Sequence, residues 1–205
     1  MSVPMEEPSR TSKALGPRPA TALRRAEIVR AAADVFAEKG FAHGTLHEIA
    51  DRVGMTHAGV LHHFGSKEQL LVEALAYRDR LMLEHRPEGQ DLFHYLVDIA
   101  VANSKQAGMI QAFLAAAGDS VAPGRPAQPY FVERYRILRA EVATAFEQTC
   151  TERGVSDPAV IAAASTGILA VLDGVQVQWL LSPEAVDLEA STTFVIDAIV
   201  AAVLA

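Results

Sequence analysis

The sequence predicts an all-α protein with a small N-terminal domain and a larger C-terminal helical domain. Apolar residues recur at helical spacing over most of the chain from Leu23 onward, and Pro and Gly residues interrupt that period at intervals. Hairpin signals, alternating strand patterns and internal repeats do not occur. Of the 205 residues, 50% are hydrophobic but only 6% are aromatic, a composition typical of a soluble helical globule.

Residues 1–22 are the first segment and lack any hydrophobic period. Several prolines lie there among Ser, Thr, Gly and Ala, and the segment has no apolar run of the kind that a secretory signal requires. We expect a disordered arm.

The first predicted helix begins near Leu23 and ends at Gly40. Ile28, Ala32, Val35 and Phe36 share one face of it, with charged residues largely on the others. Gly40 suits the left-handed position that closes many helices, and the residue after it, a phenylalanine, is expected to pack back on Phe36.

Two short helices follow, and hydroxyl residues mark where helices start. Thr45 and Glu48 have the spacing of a capping box, in which the hydroxyl accepts from the backbone at Glu48 and the carboxylate reaches back to Thr45. Thr56 and Ser66 can cap the next two helices in the same way.

The rest of the chain is predicted to be helical, with breaks at Pro- and Gly-containing segments. The helices are expected at about 67–86, 91–106, 109–119, 129–153, 158–181 and 187–204. No apolar run approaches the roughly 18 residues that suggest a membrane span. We therefore expect three segments: an arm at 1–22, a first domain at 23–67 and a helical body at 68–205.

The segment 45–67 has the features of a helix-turn-helix. Its two helices, about eight residues each, are too short to be stable alone and need the preceding helix for support. In such a unit the second helix lies in the major groove of DNA. Thr56 offers a hydroxyl and free N–H groups to a phosphate, His57 projects toward base edges, and small Ala58 and Gly59 permit close approach.

The stretch from Leu23 to Leu71 resembles the DNA-binding domain of the TetR family of transcriptional regulators. The matching elements are Phe36-Ala-Glu-Lys-Gly-Phe41, Ile49-Ala50, Val53-Gly54, Leu61-His-His-Phe64 and Ser66-Lys-Glu68. The resemblance implies a repressor that a small molecule releases from double-stranded operator DNA, and the single cysteine, Cys150, favours the cytoplasm. It assigns phosphate contacts to Thr45 and Thr56, phosphate or base contacts to His57, and phosphate contacts to His63 and Lys67.

Leu61 departs from the family pattern, which commonly has a Tyr whose hydroxyl contacts phosphate. Leu cannot form a hydrogen bond, so this contact is absent or comes from another residue such as His62. The candidate DNA-binding set is Thr45, Thr56, His57, Ala58, Gly59, His62, His63 and Lys67.

Charge is distributed unevenly along the chain. The net charge is −7, but residues 1–67 hold nine Lys and Arg against seven Asp and Glu, which gives +2, and residues 68–205 hold nine against eighteen, which gives −9. The asymmetry favours a nucleic-acid surface in the N-terminal third.

Other functional classes have weaker support. Five of the seven histidines lie between His43 and His63, yet they are spread over two helices and a loop, so convergence on a metal ion is not expected. The motifs of hydrolases, P-loop proteins and dinucleotide-binding enzymes are absent. An enzyme and a helical adaptor that does not bind DNA remain alternatives. A lone Cys150 fits a reducing compartment, and no cofactor is indicated.

The last two predicted helices are apolar over more than one stripe, which predicts a homodimer built on a four-helix junction. A monomer with both helices in its centre is the alternative, and the TetR resemblance also implies the dimer. The expected interface residues are Ile168, Leu172, Val175, Trp179, Val195 and Ile199.

Polar or amphipathic residues within the apolar segments of the body are candidates for lining a ligand cavity. They are His94, Asn103, Gln106, Gln111, Tyr130, Tyr135, Asp173, Gln176 and Trp179. For each of them, a surface position or a satisfied core position is the alternative. The family resemblance implies an inducer pocket in this body without naming its ligand.

Overall fold

A computed structural model describes residues 19–153 and 157–205. These residues form nine α-helices: α1 Pro19–His43, α2 Leu46–Arg52, α3 His57–Phe64, α4 Lys67–Glu84, α5 Leu92–Ser104, α6 Ala107–Asp119, α7 Gln128–Arg153, α8 Pro158–Leu181 and α9 Leu188–Val203. No strand occurs in these two ranges. The predicted all-α class is confirmed.

The predicted helices of the body agree with the observed ones to within a few residues, and α8 has the predicted bounds. The largest difference is at the N-terminus, where α1 already begins at Pro19, inside the segment that we expected to be a disordered arm. The remainder of that arm, residues 1–18, lies outside the described residues.

Gly40 kinks α1 near its end. Its φ of 70° and ψ of 173° are non-helical, and the positive φ favours glycine. Phe41 packs back on Phe36 as predicted, with ring centroids 5.6 Å apart. One more helical turn follows to His43, so the predicted end of the helix is a bend within it.

Hydroxyl caps start α2, α3 and α4, as predicted. The side-chain oxygens of Thr45, Thr56 and Ser66 each accept a hydrogen bond from the backbone N–H three residues later, at 3.2, 3.1 and 3.1 Å. Each cap satisfies one of the N–H groups that the first turn of a helix leaves without a partner.

The second half of the predicted capping box is wrong. The Glu48 carboxylate does not reach back to Thr45; it pairs with Lys39 at 2.8 Å and with Arg52 at 3.3 Å. The carboxylate therefore links α2 to α1.

Two apolar cores hold the chain together. The first joins α1 to α4 with α6 and the start of α7, and Ile28, Phe36 and Leu70 are fully buried in it. The second joins α5 and the later part of α7 to α8 and α9, around Phe146 and Ile196. Because the first half of α4 belongs to the first core, that core extends past residue 67.

The helix α8 corrects one expectation from the sequence. Its 24 residues have a mean hydropathy of 1.7 in the most apolar window, which by length and composition alone would suit a membrane span. A central helix of a soluble protein passes the same test. Asp173 lies inside this window and is hydrogen-bonded to Tyr135.

Candidate DNA-binding surface and ligand cavity

The helix α3 has one buried face and one open face. Val60 and Phe64 anchor it in the first core, whereas Ala58 and His62 are exposed on the other side. His57, in the first turn, is half-exposed. The candidate residues of α3 thus lie where a DNA groove could reach them.

His57 contacts a residue, His47, that we did not predict to lie at this surface. Its imidazole stacks on that of His47 in α2, with ring centroids 4.5 Å apart and an interplanar angle of 11°. His47 is itself exposed. The only signal in the sequence was the local abundance of histidine, which does not say which two rings meet.

Gly59 has little space for a side chain. A Cβ atom at this position would lie 3.1 Å from Met55 Cε and 3.3 Å from the Thr56 hydroxyl oxygen. Glycine therefore also protects the cap of α3, besides permitting the close approach predicted from the sequence.

Of two predicted phosphate contacts, Lys67 is engaged within the protein through its side chain and His63 only through its backbone carbonyl. Lys67 Nζ donates to the Phe41 carbonyl and lies 4.4 Å from the centre of the Phe41 ring. Burial lowers the pKa of Lys67, an effect that Glu68 partly opposes. His63 is half-buried and its carbonyl accepts from Arg25. Lys67 thus joins α4 to α1, and its phosphate contact stays a prediction.

Most cations of the first domain are paired with carboxylates. The ion pairs are Arg24–Glu27, Arg25–Glu73, Lys39–Glu48 and Arg52 with Glu38 and Glu48. Arg30 is exposed and has no ion-pair partner among the residues described. Phosphate contacts by this domain would therefore rely on hydroxyl, imidazole and backbone N–H groups more than on free ammonium and guanidinium groups. Within the described ranges, no three His, Cys, Asp or Glu residues are placed to hold a metal ion.

A cavity of about 340 Å³ lies in the body between α4, α5, α6, α7 and α8. Among the residues predicted to line it, those that do are Asn103, Tyr130, Tyr135, Asp173 and Gln176. We did not predict from the sequence that residues of α4 line this cavity.

Four other predicted pocket residues do not line this cavity. They are His94, Gln106, Gln111 and Trp179. His94 is exposed and pairs with Asp91 at 2.8 Å, and Gln106 and Gln111 are exposed near the start of α6. His94 and Gln111 face outward because the opposite sides of α5 and α6 form the core, and Trp179 is half-exposed.

We did not predict from the sequence a half-buried charge network that lines one wall of the cavity. Asp79 accepts hydrogen bonds from the Tyr130 hydroxyl at 2.6 Å and from Arg134 Nε at 3.0 Å. Arg134 also lies 4.6 Å from the centre of the Phe113 ring. Burial raises the pKa of Tyr130, and the neighbouring Asp79 charge raises it further.

A second pair, at the lining of the cavity, joins α7 to α8. The Tyr135 hydroxyl donates to Asp173 at 2.5 Å. Burial raises the pKa of Asp173, although the hydrogen bond from Tyr135 and the charge of Arg134 act in the opposite direction.

Residues 28–74 match the family of bacterial regulatory proteins described as the tetR family, and residues 103–205 match the C-terminal domain of BetI-type transcriptional repressors. The chain belongs to the TetR family. The regulator resemblance found in the sequence is thereby confirmed.

Curated relatives match a shorter stretch. The repressor KstR2 of Mycobacterium tuberculosis is 39% identical over 64 residues, which are 31% of this chain and 32% of KstR2. KstR2 of Mycolicibacterium smegmatis is 43% identical over 54 residues, 26% of each chain. The matched stretch is thus at most about a third of either relative.

Solved structures of transcriptional regulators share the fold over nearly the whole chain. A TetR regulator from Rhodococcus sp. RHA1 has a TM-score of 0.64 at 19% identity and covers 89% of this chain and 97% of its own. NalD, the secondary repressor of the MexAB-OprM multidrug efflux pump in Pseudomonas aeruginosa, has a TM-score of 0.59 at 20% identity and covers 87% and 95%.

In this TetR-family chain the residues predicted to form the dimer interface differ in how exposed they are. Ile168 is fully buried within the protomer, so the single chain gives no support to its place in the interface, which stays a prediction. Leu172 and Ile199 pack partly on the second core of their own chain. The other three, Val175, Trp179 and Val195, are half-exposed.

Other apolar side chains, outside the predicted interface set, are exposed on the same two helices. Leu181 is 80% exposed, Phe194 is 74% exposed and Val177 is 41% exposed. Alanines between them, such as Ala170 and Ala198, are exposed as well. Together these exposed side chains form what we call the open face of α8 and α9.

Proposed function

We propose that the chain is a homodimeric repressor that binds operator DNA through α3 and leaves it when a small molecule fills the cavity. The observation that carries the proposal is the arrangement of α3 within a TetR-family chain. Val60 and Phe64 fix the helix in the core, while His57, Ala58 and His62 remain accessible. This is the presentation that a recognition helix needs to enter a major groove.

Dimerisation through α8 and α9 is supported by their open face. Phe194 and Leu181 are exposed in the single chain. If a second copy covered them, their apolar surface would be removed from water, which favours association. The small residues around them allow close approach of helices. A two-fold pair of chains would also present two recognition helices, as a two-fold operator requires.

Control by a ligand is supported by the two roles of α4. Its N-terminal half, with Leu70 and Leu71, packs in the first core, and its C-terminal half, with Arg78 and Asp79, lines the cavity. A ligand that prefers one position of α4 would thus bias the position of the first domain. A coupling of about 1–3 kcal/mol suffices to change operator affinity severalfold to a hundredfold.

The proposal gives the chain a regulatory role and no catalytic one, in line with a family of transcriptional regulators. Operator DNA, a small-molecule effector and a second copy of the chain are its partners. A repressor of this kind works in the cytoplasm, where the DNA is, and a single free cysteine, Cys150, is compatible with that compartment.

Recovery of genomic DNA fragments by the purified protein tests this function. We expect a few sites to be enriched, with an affinity that falls as salt rises from about 50 to 200 mM. Ala58→Glu adds a negative charge on the open face of α3 and should abolish enrichment, whereas Ala115→Glu, at an exposed alanine of α6, should not. Uniform recovery of the genome by the folded wild type would contradict the proposal.

A further inference from the structure

Arg78 brings a positive charge into an apolar cavity. It projects from α4 among the lining residues, and Asn103, which is buried, accepts its hydrogen bond. The apolar part of the lining includes Leu75, Leu96, Ile99, Ile110, Phe113 and Leu169. A ligand here would meet mostly hydrocarbon and a few polar groups.

The other buried charges of the cavity already have partners. Asp79 is bound by Arg134 and Tyr130, and Asp173 is bound by Tyr135. Arg78 and Asp173 have only neutral hydrogen-bond partners, Asn103 and Tyr135, and neither forms an ion pair within the part of the chain that the structure describes. A guanidinium has five N–H donors, so one amide oxygen leaves most of them available.

Arg78 and Asp173, which form no ion pair, respond differently to burial. Burial lowers the pKa of Arg78 to about 10, so the guanidinium remains charged near neutral pH. Burial raises the pKa of Asp173 and so favours its neutral form, and its carboxyl group already accepts a hydrogen bond from Tyr135. A buried cation that cannot lose its proton is stabilised by an anion. The cavity therefore favours an anionic ligand over a cationic one.

We propose that the cavity binds an organic acid with an apolar body, and that the carboxylate of this acid pairs with Arg78. The guanidinium fork matches a carboxylate in two parallel hydrogen bonds, which a hydroxyl or an amide cannot form. This inference names the ligand class of the effector site and rests on the proposed function for its regulatory meaning.

Exposed charges among the lining residues do not reverse this preference. Glu133 is engaged by Arg136 at 2.6 Å, and exposed Arg80 and Glu141 have opposite signs. Their water-facing charges are screened more strongly than that of Arg78.

Isothermal calorimetry on the full chain with matched acid and alcohol probes tests the inference. The probes are decanoate against decanol and naphthoate against naphthalenemethanol. In at least one pair we expect the acid to bind the wild type at least about tenfold tighter than its alcohol, a factor equal to about 1.4 kcal/mol. Arg78→Gln should remove that preference, Arg78→Lys should keep part of it, and Arg139→Gln, at an exposed arginine of α7, should leave it unchanged.

Equal affinity for acid and alcohol in both pairs would overturn the inference, as would a preference that survives Arg78→Gln. Failure of both acids to bind at millimolar concentration would also overturn it. The alcohols keep the test valid if Arg78→Gln weakens the fold, because they report whether the apolar cavity still binds.

The calorimetry contains no DNA, so its outcome does not depend on the repressor function. An acid that binds through Arg78 and leaves operator affinity unchanged would contradict release by ligand while supporting the ligand class. An effector that releases DNA but shows no dependence on Arg78 would support release by ligand and contradict the ligand class.

Discussion

At the scale of single residues, the start of α3 has a residue that caps the helix next to one whose side chain is accessible from solvent. The Thr56 hydroxyl accepts from the backbone of Gly59, and its own proton can still be donated to a phosphate oxygen. The neighbouring His57 ring stacks on His47. One residue therefore secures the helix while the next is oriented for contact.

These two residues should give different phenotypes. We expect His57→Ala to change the DNA sequence preference, because His57 is placed to reach base edges. Thr56→Ala should reduce affinity for all sequences alike and also lower the free energy of unfolding by roughly 1 kcal/mol through loss of the cap. Competition binding with operator variants, alongside denaturant unfolding, separates the two effects.

His47→Ala is the matched test of the ring stack. Without its neighbour the His57 ring is less restricted, so the loss of preference should resemble that of His57→Ala but be smaller. If both histidine variants retain the wild-type ranking of operator variants, His57 does not read bases.

Asp173 should make stability depend on pH in the acid range. Its pKa is raised above the ordinary 3.8 in the folded state, chiefly by burial. The stability that this raised pKa contributes is complete below about pH 4 and is lost as the pH rises through the folded-state pKa.

Asp173→Asn does not titrate, so it should gain unfolding free energy relative to the wild type between about pH 4 and pH 7. Urea unfolding across this range checks the trend, with Asp51→Asn, at an exposed position on α2, as the control. A difference between variant and wild type that is constant with pH would show that Asp173 is not perturbed by burial.

At the scale of secondary-structure elements, most of the fold followed from local signals. Thr45, Thr56 and Ser66 cap the helices that they were predicted to cap, because a cap needs only the residues of one turn. The bounds of α8 followed from an N-terminal proline and the Ser182-Pro183 break. The partners of Glu48 could not be predicted this way, because Lys39 comes from another helix.

Only part of the cavity lining could be predicted, because the remaining residues come from a helix that the sequence alone does not place at the cavity. Tyr135 and Asp173 stood out because they interrupt apolar segments. Arg78 and Asp79 lie in a helix with many charged residues, where the sequence suggests a solvated face. Only the packing of α4 beside α7 brings Asp79 to Arg134.

The close approach of α6 to α1 at Gly108 can be tested by mutation. A Cβ atom on Gly108 would lie 2.6 Å from the Ala37 carbonyl oxygen and 2.8 Å from the Gly40 backbone N. Gly108→Ala must therefore separate α6 from α1, and we expect a loss of about 1–3 kcal/mol in unfolding free energy. Operator affinity should fall as well, since α1 supports α3.

Gly118→Ala is the control on the same helix, because a Cβ atom there would meet nothing within 4 Å. It should stabilise the chain slightly, by up to about 1 kcal/mol, through the helix propensity of alanine. Equal stabilities of the two variants would contradict a tight approach of α6 to α1.

At the scale of the whole molecule, the open face of α8 and α9 determines the expected assembly. Phe194→Glu and Val177→Glu place a charge on side chains that are exposed in the single chain, so the protomer should still fold. Each should raise the dimer dissociation constant by at least about tenfold, since an interface core disfavours unpaired charge. Sedimentation velocity measures this change.

Val132→Glu is the matched control, at an exposed valine of α7 outside this face. It should leave the sedimentation coefficient unchanged. Charges at Leu172 or Ile199 would be a poorer test, because both side chains pack on the core of their own chain and their loss would disturb folding. A wild type that remains monomeric at micromolar concentration would refute the dimer.

In vitro selection from random duplex DNA with the wild-type protein tests the central claim most directly. A homodimer that reads DNA through α3 should enrich a near-palindromic sequence whose half-sites are about 34–36 Å apart along the helix axis, or a multiple of that spacing. The same selection with Ala58→Glu should enrich no sequence. A single unpaired half-site, or no enriched sequence for a wild type that is folded and dimeric, would contradict the claim.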